Sequence, residues 1–162
     1  MDGLTMLYTR RSVRSFKTDA VADDIIGNIV RAGQLAATAR NVQPWEFVVV
    51  KTADVRRQIA AVTENGKFIE HAPVCIAVLC QDTKYYLEDG AAATENILLA
   101  ARYYGLGSCW VAGDKKDYAN TIRDLCRAPS TLRLISLIAV GYPESDKLFR
   151  EKSIRNPQFS VI

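Results

Sequence analysis

The chain has 162 residues, of which 49% are hydrophobic and 24% charged, with a formal net charge of +3. That length and apolar content suit one domain with a real core and leave no room for a second, and the charge is too small to imply nucleic acid. No apolar run approaches the roughly 20 residues that span a bilayer, and the N-terminus MDGLTMLYTRRS lacks the apolar stretch of a secretion signal, so a soluble, cytoplasmic protein without a membrane partner is expected.

A short helical stretch precedes Arg10. Ile25, Ile26, Ile29 and Val30 then form an apolar stripe, and Asp19, Asp23 and Asp24 ahead of it suit the positive end of a helix dipole. The stripe predicts a helix of roughly four turns. Trp45 to Val50 is a near-continuous apolar run rich in β-branched residues, which predicts a strand buried on both faces. Val55, Ile59 and Val62 mark a second helix, interrupted or capped at Asn65-Gly66, and a second strand runs from Val74 to Leu79 after Pro73.

From Leu87 to Tyr104 an alanine-rich segment has Ala93, Ile97, Ala100, Ala101 and Tyr104 at helical spacings, a central helix with small side chains for close packing. Gly105 and Gly107 stop it, and Ser108 to Val111 reads as a short strand entering a loop at Ala112-Gly113-Asp114. Ile122, Leu125 and Cys126 suggest a short helix ended by Pro129, and Leu132 to Val140 reads as the third long buried strand. The segment from about 144 to 162 is mostly polar and broken by Pro157; it cannot pack a core of its own and is expected to contact a partner. Helices alternating with buried strands indicate a layered α/β or α+β sheet protein, one domain over 1–162, and periodicity alone does not give the strand order.

Cys75, Cys80, Cys109 and Cys126 include no C-x-x-C pair, and His71 is the single histidine, so zinc and disulfide scaffolds are poor readings. Cys75 and Cys80 lie in an apolar run where a thiol packs as a small hydrophobe. A glycine-rich nucleotide loop is also a poor reading. Gly105-Leu106-Gly107-Ser108-Cys109-Trp110 follows a helix and precedes a strand, its third glycine is replaced by Trp110, and no G-K-[ST] occurs.

Two polar constellations remain. Arg10, Arg11 and Arg14 place three guanidiniums around Ser12, and guanidinium forks match phosphate oxygens bidentately; the competing reading is a solvated basic turn. Thr38, Ala39, Arg40, Asn41 and Gln43 lie between the first long helix and the first strand, and their amide, hydroxyl and guanidinium donors suit a ligand with carbonyls and ring nitrogens. A helix-ending loop with a turn at Pro44 is the structural alternative.

Arg10-Arg11-Ser12-Val13-Arg14, Asn41-Val42-Gln43-Pro44-Trp45, Gly105-Leu106-Gly107-Ser108-Cys109-Trp110 and Val140-Gly141-Tyr142-Pro143 together resemble the ordered landmarks of the nitroreductase family. The resemblance implies an α+β fold, a mixed β-sheet flanked by helices, in an intertwined homodimer with FMN at the interface. By that resemblance Arg10, Arg11, Ser12 and Arg14 address the phosphate, ribityl chain and pyrimidine side of the flavin, and Thr38, Ala39, Arg40 and Asn41 approach it from the other subunit with Gln43 nearby. Trp110, Ala112 and Gly113 lie against the ring, offering backbone groups near its reactive edge. Asn65 contacts the ring, and Lys152 and Arg155 stand for the basic residues that reach the phosphate at the C-terminus.

The implied activity passes reducing equivalents from NADH or NADPH through flavin N5 to a nitroaromatic, quinone or similar flat electrophile, with no catalytic side chain required. Arg14 is expected to stabilise the charge of reduced flavin. Cys109 and Trp110 flank the flavin loop and admit either a role there or plain packing. Two rivals stand: a non-catalytic FMN-binding dimer that stores flavin or senses redox state, and a dimeric binding domain whose arginines meet another phosphate ligand.

Overall fold

The computed structural model describes residues 1–151, 153–155 and 158–161. Its centre is set by two strands whose side chains alternate between two apolar faces, interrupted once in β4 at Ile135. In β2 (Val74–Gln81), Cys75, Ala77 and Leu79 enter one core, while Val74, Ile76, Val78 and Cys80 enter the other. β4 (Leu132–Gly141) does the same with Leu137 and Ala139 against Ile138 and Val140. Alternation of this kind places every second side chain on each face of the pleat.

Two edge strands complete the sheet, β1 (Trp45–Val50) and β3 (Gly107–Ala112), in the order β1-β2-β4-β3. Every pairing between these strands is antiparallel. The mixed character expected of the sheet is confined to a single parallel bridge, Ser12 to Ser108, where the N-terminal segment runs beside β3.

One face of the sheet carries α2 (Asp23–Gln34) and the long α4 (Tyr86–Tyr103); the other carries α3 (Ala53–Val62), a 3-10 turn at Lys67–His71 and α5 (Ala119–Leu125). α1 (Gly3–Thr9) is capped by Asp2, whose carboxylate accepts from the Leu4 and Thr5 amides, and it buries none of its own residues. Such a cap satisfies two of the orphan amides at the helix start. No described helix is long and apolar enough to cross a membrane.

The expected elements are present with shifted ends: α2 has 12 residues, nearer three turns than four, and begins at Asp23 because Asp19 lies outside it. β1 is not buried on both faces. As an edge strand it exposes Glu46 and only half covers Phe47, Val48 and Val49.

β4 is the strand on which both cores lean, and Ile138 at its centre is completely buried. Ile138→Ala is expected to lower the free energy of unfolding by about 2–5 kcal/mol, read as a lower urea midpoint at unchanged slope; a change under about 0.5 kcal/mol would show that the site repacks freely.

Candidate functional site

The first constellation owes its position to a glycine. A Cβ on Gly107 would come within 2.7 Å of Val13, so the absence of a side chain there is what lets the N-terminal segment lie on β3. Val13 is buried at that contact and donates its amide to the Ser108 carbonyl at 2.9 Å. With Val13 fixed inward, its neighbours Ser12 and Arg14 are forced outward, and Arg10, Arg11, Ser12 and Arg14 line a cavity of about 240 Å³.

Arg10 is held by Glu95 of α4 at 3.0 Å, whereas Arg11 and Arg14 have no ion pair among the described residues. Arg14 lies over the Phe68 ring at 5.7 Å, which brings it beside the loop that carries Asn65. Lys116, 3.5 Å from Glu64, ties the same loop to the end of β3.

The Ser108 carbonyl points away from β4, toward Val13, and the two-residue period of a strand therefore turns the amides of Trp110 and Ala112 to the same outer edge. Edge groups of this kind are open to an external partner. Trp110 is 39% exposed, so it is not core packing. Gly113 differs from the expectation: its amide already donates to the Ile135 carbonyl at 3.0 Å, and a Cβ there would meet Leu134 at 2.6 Å. Its glycine is explained by that close approach, and among the described residues the outward backbone donors of this edge belong to Trp110 and Ala112.

Cys109 is buried beside this cluster. Burial pushes its thiol above the usual range, opposed by the Arg14 charge, a hydrogen bond with Ser12 and the Arg10 charge. The thiol therefore stays protonated at neutral pH and acts as packing.

Arg155 lines a larger cavity of about 940 Å³ together with Arg11, Leu7 and Tyr8, which brings it to the arginine cluster. Lys152 lies outside the described residues.

The second constellation is built on one buried carboxylate that periodicity in the sequence did not single out. Asp89 of α4, 5% exposed, accepts from the Thr38 hydroxyl and from the Ala39 amide, both at 3.0 Å. Thr38 in turn accepts the Gln43 amide at 3.2 Å, and the Gln43 side-chain amide donates to Asn41 at 2.7 Å. The loop so fastened holds three non-glycine residues at positive φ: Arg40 at 53°, Asn41 at 57° and Gln43 at 50°. Such conformations persist only where surrounding contacts over-determine them, and they concentrate at functional sites. Stepping back four residues from Ala93 along the apolar stripe lands on Asp89, the signal by which the sequence could have shown it.

The two constellations do not converge within one chain. Trp45, at the end of the second, is in register with Cys80 and through it with Arg133; Ser108, which holds the first, is in register with Val140. Those positions are six ladder steps apart along the strands, since β4 carries one extra residue between them, roughly 20 Å, and three strand spacings apart across the sheet, roughly 14 Å.

This is an α+β helix–sheet–helix protein with an exposed basic cradle at one corner and a strained polar loop at the opposite one. The Nitroreductase family model matches residues 7–73 and 59–142, and the chain belongs to that family. It is 36% identical to an Archaeoglobus fulgidus protein named as an NADH dehydrogenase/NAD(P)H nitroreductase, over 95% of this chain and 93% of that one. A Desulfovibrio desulfuricans structure described as a nitroreductase in complex with FMN superposes with a TM-score of 0.83 at 30% identity, over 97% of this chain and 92% of that one. The iodotyrosine deiodinase of Danio rerio is 26% identical over 88% of this chain and 60% of its own length, so a different named reaction occurs among the relatives.

Replacing Asp89 by alanine strands the Ala39 amide and the Thr38 hydroxyl, at a cost of about 1–3 kcal/mol. Amide exchange at Ala39 is expected to speed up while β2 and β4 stay protected; unaltered exchange at Ala39 would mean that the loop is fastened by something else.

Proposed function

We propose that this chain is an FMN-dependent oxidoreductase that takes reducing equivalents from NADH or NADPH and delivers them to a flat electrophile such as a nitroaromatic or a quinone. The observation that carries the reading is the cradle of Arg10, Arg11, Ser12 and Arg14 beside the outward edge of β3. Its donor set fits FMN at both ends: guanidiniums and a hydroxyl for a phosphate, and strand-edge amides for the acceptor atoms of a flat ring. When bound, FMN supplies the two-electron chemistry, and no side-chain nucleophile or metal is asked of the protein.

In this reading Arg10, Arg11, Ser12 and Arg155 hold the phosphate. Arg14 and Asn65 meet the polar side of the ring, and Arg14 offsets negative charge that develops there in a partly dry site. Trp110 and Ala112 orient the ring through backbone amides, with Gly113 fixing the turn behind them. Thr38, Ala39, Arg40, Asn41 and Gln43 serve the same flavin from a second copy, because their corner is too far from the cradle for one chain to close around one ligand.

A homodimer is further supported by apolar surface that the single chain leaves open. Leu4, Leu7, Leu35 and Tyr103 are each more than half exposed, and Met6, Leu35, Leu99 and Tyr103 border a groove of about 430 Å³ between α1, α2 and α4. Ile154, Phe159 and Val161 of the C-terminal segment are 75%, 87% and 89% exposed, which suits the contact with a partner expected of that segment. A cytoplasmic location agrees with free thiols at all four cysteines.

Purified protein incubated with FMN and desalted is expected to stay yellow and to bleach under anaerobic NADH or NADPH. Colour that persists without bleaching would favour flavin storage or sensing, and loss of colour on desalting would remove the FMN reading. Arg14→Ala is expected to raise the FMN dissociation constant about 10- to 100-fold, the loss of one charge-assisted contact of 1.5–3 kcal/mol; titration by flavin fluorescence measures it.

A further inference from the structure

The end of β3 is gripped by a device that a surface turn does not need. In the β2–β4 ladder Val78 faces Ser136 while the next residue, Leu79, faces Leu134, so Ile135 is an extra residue in β4. A bulge of this kind leaves its residue outside the regular pairing and is common beside active sites. Here the Ile135 carbonyl accepts from two consecutive amides, Gly113 at 3.0 Å and Asp114 at 3.3 Å.

The Asp114 side chain is turned inward and only 9% exposed. Arg133 lies 3.4 Å from its Oδ1, and the Tyr86 hydroxyl lies 3.4 and 3.5 Å from its two oxygens. Arg133 is steadied in turn by Asp82 at 3.1 Å and stacks over the Tyr86 ring at 4.2 Å. Burial, and then the Asp114 charge, push the Tyr86 hydroxyl above its ordinary pKa and keep it a neutral donor. On the outer side, the Tyr118 hydroxyl donates to the Ala112 carbonyl at 2.7 Å. The turn so held includes Lys115 at a φ of 60°.

Desolvating a carboxylate and holding a non-glycine residue at positive φ both cost stability. Neither is needed to join a strand to a short helix. What the latch does achieve is a fixed direction for the last residues of β3, Trp110 to Ala112.

We infer that Asp114, through its latch with Tyr86 and Arg133, is the positioning residue that sets the backbone of Trp110 and Ala112 against the flavin ring; this rests on the FMN reading proposed above. The residue acts at one remove, since its own oxygens are engaged by Tyr86 and Arg133. The consequence falls on the ring and spares the phosphate, which the arginine cluster holds independently.

The test uses full-length protein loaded with FMN and measures two quantities, FMN affinity and the midpoint potential of the bound flavin. The potential reports the ratio of affinities for oxidised and reduced FMN, to which a purely structural lesion far from the ring is indifferent. Asp114→Ala is expected to change FMN affinity by no more than about threefold but the affinity ratio by about tenfold, near 30 mV for a two-electron couple. Tyr86→Phe removes one hydroxyl and no charge, folds more safely, and is expected to move the ratio in the same direction. Asp114→Asn keeps an acceptor for Tyr86 and Arg133 and is expected to restore most of the wild-type ratio.

An unchanged ratio in both Asp114→Ala and Tyr86→Phe would overturn the latch while leaving the FMN reading intact. Asp114→Asn behaving like Asp114→Ala would overturn it as well, because a bare charge effect requires no latch. Wild-type protein that retains no FMN would overturn both readings together.

Discussion

The first turn of α4 is pressed onto the bulge of β4, and both the strained polar loop and the turn after β3 hang from that contact. A Cβ on Gly90 would stand 2.7 Å from Ile135, so helix and strand meet at a distance that only glycine permits. On either side of this contact the same turn offers Tyr86 to Asp114 and Asp89 to Thr38 and Ala39. Residues three and four apart share a helix face, which is why one turn reaches two loops. Cores are close-packed and yield little, so a helix seated at one depth gives both loops one geometry.

Covering both sides of an antiparallel sheet has a cost in legibility. Antiparallel strands commonly show one wet face and therefore alternate in polarity, whereas β2 and β4 here are apolar but for Gln81, Arg133 and Ser136, as parallel strands usually are. The sequence pattern thus marks these two strands clearly and says nothing of their direction. β1 misleads in the opposite sense. Its run of β-branched residues looks like an interior strand, yet it lies at the sheet edge with Glu46 outward, because composition records affinity for a pleated surface and not rank within the sheet.

The site was readable where chemistry is concentrated in a few consecutive residues and unreadable where it depends on distant contacts. Three arginines around Ser12 stand out in the sequence as a basic cluster, and the fold gathers them around one cavity; that Arg10 meets Glu95, or that Gly107 makes room for Val13, follows only from the fold. Asp89 and Asp114 were hidden for different reasons. An acid in the first turn of a helix is already explained by the dipole, so Asp89 stands out only when the apolar stripe is extended back from Ala93. Asp114 sits in a turn where aspartate is ordinary, and its inward orientation depends on a bulge that β4 does not advertise.

Under the proposed FMN reading, placing the two constellations at opposite corners of the sheet would tie assembly to cofactor binding. If each flavin draws its phosphate and ring contacts from one chain and the strained loop from another, a two-fold axis completes two equivalent sites at once, as an isologous interface must. The loop at Arg40, Asn41 and Gln43 then holds a strained backbone in each separate chain that is useful only in the pair. A ligand and a partner that bound the folded chain and not the unfolded one would each stabilise it by mass action. The apolar surface left open around Leu35 and Tyr103 makes the same point from the side of packing: the single chain closes its two cores but not its surface.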